Sequence, residues 1–139
     1  MGLIEILSIF NIKGNYPLTP LCFRWHNSYA KYYLGGCVIA ISGDKYTFTQ
    51  ENVDKSPTDG GVYALYDGDE TIYIGKGDGV NGIRERLQAH KRGDEGACTK
   101  NASHYRREVC SNPTTREGQE LEAHKKANGK LPRCNDVMP

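Results

Sequence analysis

The sequence predicts an α+β domain in which a small antiparallel or mixed β-sheet is flanked by helices. Residues 37–75 contain short β-runs separated by turns rich in glycine and aspartate. The chain after residue 82 instead contains helix-type periodicity and no strong β-run. Separation of strands from helices along the chain is typical of α+β proteins. A length of 139 residues suits one domain with a single apolar core.

The β-runs are predicted to form two hairpins. The first joins residues 37–41 to residues 45–48 through a Ser-Gly-Asp turn, as an amino-terminal β-hairpin extension of the sheet. A polar loop is predicted over residues 51–60. The second hairpin joins residues 62–66 to residues 70–75 through Asp67-Gly68-Asp69.

The alternation of residue types predicts the register of the second hairpin. If Tyr63 lies directly opposite Tyr73, the two phenols share one face of the sheet. The opposite face then carries four apolar side chains: Val62, Ala64, Ile72 and Ile74. Burial of these four together favours this register over one slipped by a single residue.

Three helices are predicted after the second hairpin, over residues 83–91, 102–110 and 115–127. In the first of them, Arg86 and His90 are spaced i and i+4 and therefore project from one face. The third begins with Thr114-x-x-Glu117, which is predicted to be a capping box. Residues 3–10 are read as a short helix or strand, and the closing NGKLPRCN segment as a loop.

The net charge of +1 is unevenly distributed. Residues 51–70 have a net charge of −5, and residues 76–107 have a net charge of +4. A basic stretch of this kind is either a solvated face or a local binding surface for phosphate. Residues 22–33 (CFRWHNSYAKYY) mix bases with aromatic residues, which suits a half-buried strand or helix, or stacking on nucleic-acid bases.

The sequence predicts a cytoplasmic protein without membrane contact. No stretch approaches the roughly 18 consecutive apolar residues of a membrane span, and the amino-terminal MGLIEILSIF lacks the basic region of a signal peptide. The five cysteines form no C-x-x-C pair and are expected to be free, partly buried thiols. The spacings of His90, Cys98, His104 and Cys110 match no common zinc motif.

A glycine cluster at residues 77–82 spells G-x-G-x-x-G between a predicted strand and a predicted helix. A dinucleotide-binding fingerprint has this position, but it also needs a parallel strand after the helix, which the sequence does not predict. A P-loop is excluded because Gly75-Lys76 is followed by Gly77 rather than Ser or Thr. The cluster is therefore predicted to be a flexible connector whose backbone N–H groups can contact phosphate.

Three carboxylates on the last predicted helix are candidates for binding a metal ion. Glu117 already completes the predicted capping box, and Glu122 is expected to face water. Glu120 lies beside Leu121, the only large apolar residue of this helix, and can therefore face the sheet edge. Glu120 is the predicted ligand of a hard divalent ion such as Mg²⁺, which prefers carboxylate oxygen and keeps several waters.

The order of these motifs resembles the GIY-YIG nuclease family. The matching residues are Gly61-Val62-Tyr63, Tyr73-Ile74-Gly75, Arg86, His90, Glu120 and Asn135. The resemblance covers residues 57–136. Two departures are a longer, glycine-rich loop after Gly75 and the pair Ala123-His124, which replaces the apolar pair often found a turn after the glutamate. The second departure leaves open which glutamate is the ligand.

The resemblance implies a metal-dependent endonuclease that hydrolyses DNA phosphodiester bonds. Glu120 would hold one Mg²⁺ or Mn²⁺ ion, and Arg86 would neutralise charge that develops on the phosphate. Tyr63 would be the general base, and Tyr73 would orient water or phosphate beside it. A phenol titrates near pH 10 and needs its anion stabilised to act as a base at neutral pH.

The remaining site residues have supporting roles in this interpretation. Lys76 is placed to stabilise the phenolate of Tyr63, and His90 could bind phosphate or relay a proton. Gly75, Gly77 and Asn135 are assigned to substrate binding, with Asn135 expected to tie the carboxyl-terminal loop to the site by hydrogen bonds.

The resemblance implies DNA as the partner. Branched, nicked or weakly specific sites are expected, because the sequence contains no helix-turn-helix, zinc finger or long basic arm that would read a base sequence. Specificity could also come from a homodimer or a protein partner. The alternatives are a nucleic-acid-binding module that does not cut, a small nuclease toxin, and a structural or interaction domain. Residues 1–56 are expected to be an extension packed on the sheet, and residues 57–139 the nuclease-like core.

Overall fold

The computed structural model describes residues 22–25, 28–33, 36–37 and 40–135. Seven strands and four helices lie in these ranges. They are β1 (Cys22–Trp25), β2 (Ser28–Tyr33), β3 (Gly36–Cys37), β4 (Tyr46–Thr47), α1 (Gln50–Asp54), β5 (Gly61–Asp67), β6 (Glu70–Gly77), α2 (Gly82–Arg92), α3 (Ala97–Lys100), β7 (His104–Val109) and α4 (Pro113–Asn128). The predicted element at residues 3–10 lies outside the described residues.

The four-stranded sheet has the order β4-β7-β5-β6, and every pair of neighbours is antiparallel. The α+β class is therefore confirmed. β5 is an inner strand with β6 on one side and β7 on the other, and β6 is an edge strand. A second sheet, with the order β1-β2-β3, is also antiparallel.

The predicted hairpin between residues 37–41 and residues 45–48 is not confirmed. β4 pairs with β7, with Tyr46 opposite Tyr105. Phe48 and Val53 are buried in the same cluster as Tyr63, so residues just before 57 contribute to the core of the four-stranded sheet.

The loop predicted over residues 51–60 is wrong for its first part, because α1 occupies Gln50–Asp54. Thr49 caps this helix by accepting a hydrogen bond from the backbone N–H of Asn52 at 3.3 Å. Val53 is fully buried and anchors the helix to the core. A cap and one apolar residue therefore suffice for a helix in a segment that is otherwise polar.

The helix predicted over residues 102–110 is wrong, because His104–Val109 forms strand β7. Three consecutive charged residues, at 106–108, are typical of a helix surface. They nevertheless belong to a strand, β7, that is paired with β4 on one side and β5 on the other. Tyr105 is fully buried and stacks on Tyr46, with ring centroids 5.4 Å apart. Pairing on both strand edges and burial of this aromatic ring outweigh the weak local propensity.

The register of the β5–β6 hairpin differs from the predicted one by two residues. Tyr63 lies opposite Gly75, and Tyr73 lies opposite Leu65. A register shift between Leu65 and Tyr66 leaves Ile72 as the extra residue of a β-bulge. The predicted pairing of Tyr63 with Tyr73 is wrong for two reasons: the turn is one residue shorter than predicted, because Asp67 pairs with Glu70, and the bulge adds one further residue.

Apolar residues are buried on both faces of the sheet. Three of the four predicted to share a face, Val62, Ala64 and Ile74, do so and pack with Leu121 of α4. The fourth, Ile72, belongs to the cluster on the other face, because the bulge redirects its side chain. That second cluster contains Tyr63 and Leu65 of β5, Ile83 and Leu87 of α2, and Tyr105 of β7.

Cys98 and Cys134 form a disulfide, with Cα atoms 5.7 Å apart. The prediction of free thiols is therefore wrong for this pair, which sequence spacing alone could not identify. Cys110 has a free thiol. The disulfide joins α3 to the segment that follows α4.

None of the helices in the described part of the chain is long and apolar enough to cross a membrane.

Candidate active site

Tyr63 and Tyr73 lie on the face of the sheet that packs against α2. Both tyrosines contact the cluster that includes Ile83 and Leu87, and their ring centroids are 6.1 Å apart. The prediction that the two phenols share a face is confirmed, although they are diagonal rather than opposite neighbours. Tyr63 is fully buried, and Tyr73 is partly exposed.

Gly75 makes room for both phenols. A Cβ atom at this position would lie 2.6 Å from Cε1 of Tyr73 and 2.8 Å from the hydroxyl oxygen of Tyr63. Any side chain would therefore displace the two aromatic residues. The glycine acts here by close packing against them, and it is itself buried.

His90 connects the buried phenol to α3. Its Nε2 lies 2.9 Å from the hydroxyl oxygen of Tyr63, and its Nδ1 lies 2.8 Å from Oγ1 of Thr99. The imidazole also packs edge-on against Tyr73, with ring centroids 4.7 Å apart. Burial, together with the positive charge of Arg86, lowers the pKa of His90 to about 4, so the imidazole is neutral at pH 7.

Arg86 lies one turn before His90 on α2, as the i, i+4 spacing predicts. Its Nη1 lies 2.8 Å from Oε1 of Glu95, and its side chain is 40% exposed. Partial burial lowers the pKa of Arg86, but the neighbouring Tyr63, Glu95 and Tyr73 outweigh this effect and the net pKa is raised. Arg86 is therefore a permanent cation beside both phenols.

The two phenols differ in how far they can ionise. Burial and the neighbouring Tyr73 raise the pKa of Tyr63 well above its usual value, and Arg86 offsets this only in part. Burial also raises the pKa of Tyr73, against the lowering effect of Arg86. Neither phenol is ionised at neutral pH in this arrangement, so a proton acceptor is needed before either can act as a base.

Glu117 of α4 reaches this group of residues from the opposite face of the sheet, at the edge of β6. Burial and the carboxylate of Asp78 raise the pKa of Glu117, whereas Lys76 and Arg86 lower it. The charge of Glu117 in turn raises the pKa of Tyr73. The buried carboxylate of Glu117 is therefore coupled electrostatically to the guanidinium of Arg86 and to the partly exposed phenol of Tyr73.

Glu120, the predicted metal ligand, is not brought into this group. Its Oε1 accepts a short hydrogen bond from Nη1 of Arg116, and Nε of the same arginine lies 3.0 Å from Glu108 of β7. Burial raises the pKa of Glu120, and Arg116 partly offsets this effect. Glu120 is therefore one partner in a half-buried ionic network on another part of the α4 surface.

The capping box predicted at Thr114 and Glu117 is wrong. α4 begins at Pro113, and its N-cap is Asn112, whose side chain accepts a hydrogen bond from the backbone N–H of Thr115 at 3.2 Å. Proline suits the first helical position because no intrahelical partner exists there for an N–H group. The earlier helix start frees Glu117 from a capping role.

Lys76, predicted to stabilise the Tyr63 phenolate, contacts other groups. Its Nζ donates a hydrogen bond to Oγ1 of Thr114 at 2.8 Å and lies 3.3 Å from Asp78. Because side chains alternate along β6, Lys76 projects toward α4, next to Glu117.

The backbone of the glycine cluster at residues 77–82 and of the helix start that follows it already contacts other groups of the protein. Gly77 ends β6, Gly82 begins α2, and a Cβ atom on Gly77 would lie 2.4 Å from the backbone of Gly82. At the start of α2, the N–H groups of Ile83 and Arg84 donate to the carbonyls of Asp59 and Pro57, both at 3.1 Å. These groups are therefore occupied, and the helix start is not an open cradle for pyrophosphate.

Asn135 joins the carboxyl-terminal loop to the edge of β6. Its Oδ1 accepts from the backbone N–H of Ile74 at 2.9 Å, and its Nδ2 donates to the carbonyl of Ile74 at 2.8 Å. The backbone N–H of Cys134 donates to the carbonyl of Ile72 at 2.9 Å. The amide of Asn135 thus takes the place of a neighbouring strand on the exposed side of β6.

The described residues contain no group of three or more His, Cys, Asp or Glu side chains that could hold a metal ion. The zinc set considered from sequence does not form, because Cys98 is in a disulfide and both nitrogens of His90 have partners. A single buried carboxylate with a second one nearby, Glu117 with Asp78, fits an ion such as Mg²⁺, which binds few protein ligands and keeps waters for substrate oxygens.

A scan against models of known protein families finds no match to this chain, and a search of curated proteins finds no relative.

Three residues of the site were missed by sequence reasoning. Glu95 and Thr99 follow α2 in a segment without periodicity, and no local pattern marks them. Glu117 was visible, but a structural role had been assigned to it. The signal that could have identified Glu117 is Pro113. Proline prefers the first helical position, so the helix is expected to start two residues earlier than predicted, and Glu117 then has no capping role.

Proposed function

We propose that this chain is a metal-dependent endonuclease of the GIY-YIG type that hydrolyses DNA phosphodiester bonds. The observation that carries the proposal is a group of four neighbouring side chains, Tyr63, Tyr73, Arg86 and His90, with the buried Glu117 coupled electrostatically to Arg86 and Tyr73. Hydrolysis of a phosphodiester needs a base for water, positive charge for the phosphate oxygens and help for the leaving oxygen.

Arg86 is the residue proposed to bind the scissile phosphate. Its guanidinium is partly exposed, and its forked donors suit paired phosphate oxygens. In the structure these donors contact the carboxylate of Glu95, which has a similar geometry to a phosphate edge. Phosphate binding would exchange one anionic partner for another, and the half-exposed Tyr73 would contact the phosphate or the attacking water.

Glu117, rather than Glu120, is proposed to hold one Mg²⁺ or Mn²⁺ ion. Glu117 lies near Arg86 and Tyr73, whereas Arg116 occupies the carboxylate of Glu120. When bound, such an ion would supply positive charge that stabilises the negative charge developing in phosphodiester hydrolysis. Lys76 lies beside Glu117 and contributes further positive charge at this edge of β6.

Tyr63 is proposed to be the general base, with His90 as the acceptor of the phenolic proton. The 2.9 Å contact between the hydroxyl and Nε2 provides a path for that proton. Because Tyr63 is fully buried, water reaches its hydroxyl only after the neighbouring Arg86 or Tyr73 side chain moves. Movement of Arg86 from Glu95 to phosphate would uncover it.

The main alternative is a nucleic-acid-binding module that does not cut DNA. A module of this kind gains nothing from burying Glu117 beside the phosphate-binding arginine, because the carboxylate repels phosphate unless a cation lies between them.

The nuclease toxin alternative uses the same chemistry. The Cys98–Cys134 disulfide favours an oxidising compartment, in contrast to the cytoplasmic location expected from the sequence.

Incubation of the purified full chain with supercoiled plasmid and with a four-way DNA junction tests the proposal. We expect nicking with Mg²⁺ or Mn²⁺ that stops when a chelator is added. Tyr63→Phe should lower the nicking rate by about 10²–10⁴-fold, the usual effect of losing a general base. Salt-sensitive binding without nicking would favour the binding module, and absence of binding at low salt would exclude both.

A further inference from the structure

The imidazole of His90 has a hydrogen-bond partner at each nitrogen, and all three groups are buried. Tyr63 and His90 are fully buried and Thr99 is 2% exposed. The chain of contacts runs from Oγ1 of Thr99 through Nδ1 and Nε2 of His90 to the hydroxyl of Tyr63, with distances of 2.8 and 2.9 Å. Buried polar groups of this kind must all be satisfied within the protein.

The donors and acceptors around Tyr63 favour one of the two tautomers of His90. Arg86 has only donors to offer to the phenolic oxygen. If Nε2 of His90 also donated to that oxygen, the hydroxyl hydrogen of Tyr63 would lose the acceptor that lies 2.9 Å away. The hydroxyl hydrogen is satisfied only if Nε2 accepts it, which requires the proton of the neutral imidazole to be on Nδ1.

Thr99 completes this arrangement from the other side of the ring. Its hydroxyl donates to the carbonyl of Gly96 at 3.5 Å, a long bond that nevertheless directs the hydrogen away from His90. A lone pair of Oγ1 then faces Nδ1 and accepts its proton at 2.8 Å. Each of the three side chains thus donates one hydrogen bond in the same direction, from Tyr63 to His90 to Thr99.

We propose that Thr99 is a positioning residue that holds His90 in its Nδ1–H tautomer and so keeps Nε2 open to receive the proton of Tyr63. This inference rests on the proposed nuclease function for its catalytic consequence. In that reaction, an O–H bond of water breaks and its proton binds the oxygen of Tyr63 while the phenolic proton binds Nε2. The hydroxide oxygen bonds to phosphorus, and the bond from phosphorus to the 3′-oxygen breaks with both electrons on that oxygen, which takes a proton from solvent.

The same contacts also stabilise the packing of α2 against α3, so the test must separate tautomer control from stability. Thr99→Val keeps the shape of the side chain and removes the hydroxyl, whereas Thr99→Ser keeps the hydroxyl and removes a methyl group. Long-range ¹H–¹⁵N correlation spectra report which imidazole nitrogen carries the proton. The signals of His90 are assigned as those that disappear in His90→Gln, since the chain has four histidines.

We expect the wild-type protein and Thr99→Ser to show Nδ1 protonated and Nε2 unprotonated at pH 7, without DNA or metal. Thr99→Val should show protonation of Nε2, alone or in a mixture. In the nicking assay Thr99→Val should lower the rate by about 10–100-fold, the usual effect of removing a group that orients a functional imidazole. Thr99→Ser should restore most of that loss.

Protonation of Nε2 in the wild-type protein would overturn the inference, as would a Thr99→Val spectrum with an unchanged tautomer. If Thr99→Val does not fold, the wild-type spectrum still decides the tautomer, and Thr99→Ser shows whether the hydroxyl maintains it. If the wild-type protein does not cut DNA but has the expected tautomer, the proposed function fails while the assignment of Thr99 stands.

Discussion

Glu117 and Glu120 lie three residues apart on α4, but their carboxylates contact different groups. Glu117 is near Lys76 and Arg86 at the edge of β6. Glu120 is paired with Arg116, away from the phenols. Both are almost fully buried. Burial therefore does not distinguish the proposed metal ligand from a structural acid here, and the proposal depends on which cations lie near each carboxylate.

Exchange of each acid for its amide provides the first test. Glu117→Gln should lower the metal-dependent nicking rate by about 10²–10³-fold and leave DNA affinity nearly unchanged, because it removes one charged group aimed at the reaction. Glu120→Gln should keep the activity but lower the free energy of unfolding by about 1–3 kcal/mol, because Arg116 loses a charged partner. Full activity of Glu117→Gln together with an inactive, stable Glu120→Gln would reverse the ligand assignment.

A second test uses two glycines of the same segment. Gly75→Ala should destabilise the protein by about 1–3 kcal/mol, because the new methyl group would overlap both tyrosines. It should also lower the nicking rate by about 10²-fold, since a displacement of about 1 Å is costly in an active site. Gly79→Ala is the matched control, because no atom lies within 4 Å of the added Cβ. Equal effects of the two substitutions in urea unfolding and nicking would show that the contact with the phenols is not the cause.

Much of this site follows from the sequence, and the parts that do not have identifiable causes. Strand alternation predicts that Tyr63 and Tyr73 share a face, and the i, i+4 spacing of a helix does the same for Arg86 and His90, because both are local rules. The two pairs were combined into one site only through the family resemblance. The predicted hairpin register and the helix predicted where β7 lies are wrong, because a bulge and the pairing of distant strands depend on the whole sheet.

The acid of the site was missed for a different reason. The choice between Glu117 and Glu120 depends on how α4 is rotated and where it begins, and one residue of error at a helix start turns every later side chain by about 100°. Glu95, Thr99 and the disulfide partners are brought in by tertiary contacts between segments that carry no periodic pattern.

Glu95 is expected to weaken DNA binding by occupying Arg86. Glu95→Gln removes the ion pair at 2.8 Å and one negative charge from the surface proposed to bind phosphate. An exposed ion pair contributes about 0.2–1 kcal/mol, so the affinity for DNA at low salt should rise by about 1.4-fold to fivefold. Glu85→Gln removes the same charge from an exposed position on α2 and is the control. A fall in affinity specific to Glu95→Gln, measured by fluorescence anisotropy, would show that Glu95 orients Arg86 instead.

The disulfide should stabilise the folded protein strongly. Cys98 and Cys134 are 36 residues apart, and a loop of that length corresponds to about 3–4 kcal/mol in the chain-entropy treatment. A reducing agent should therefore lower the Tm by roughly 10 °C. The Cys98→Ala/Cys134→Ala double variant should have the lower Tm with or without reductant, whereas Cys110→Ser should remain sensitive to it. A wild-type Tm that does not respond to complete reduction would contradict this expectation.

His90 should make the protein less stable as the pH falls below neutrality. Its pKa is about 4 in the folded protein and about 6.5 when unfolded, so between these values the unfolded state binds the proton more readily. The stabilisation is complete above pH 6.5 and is lost as the pH falls toward 4, with a loss of about 2 kcal/mol between pH 7 and pH 5. Burial raises the pKa values of Glu117 and Glu120, which therefore act in the opposite direction.

The contribution of His90 can be isolated with His90→Gln, whose amide can replace the hydrogen bond of Nε2 to Tyr63 but does not titrate. Urea unfolding at pH 7 and pH 5 should show that the variant loses less free energy than the wild-type protein over this interval. Identical pH dependence of the two proteins would mean that the imidazole is protonated in the folded state near its ordinary pKa. Only the protonated imidazole is unable to accept the phenolic proton of Tyr63, so the nicking rate would then already fall below about pH 6.5 instead of about pH 4.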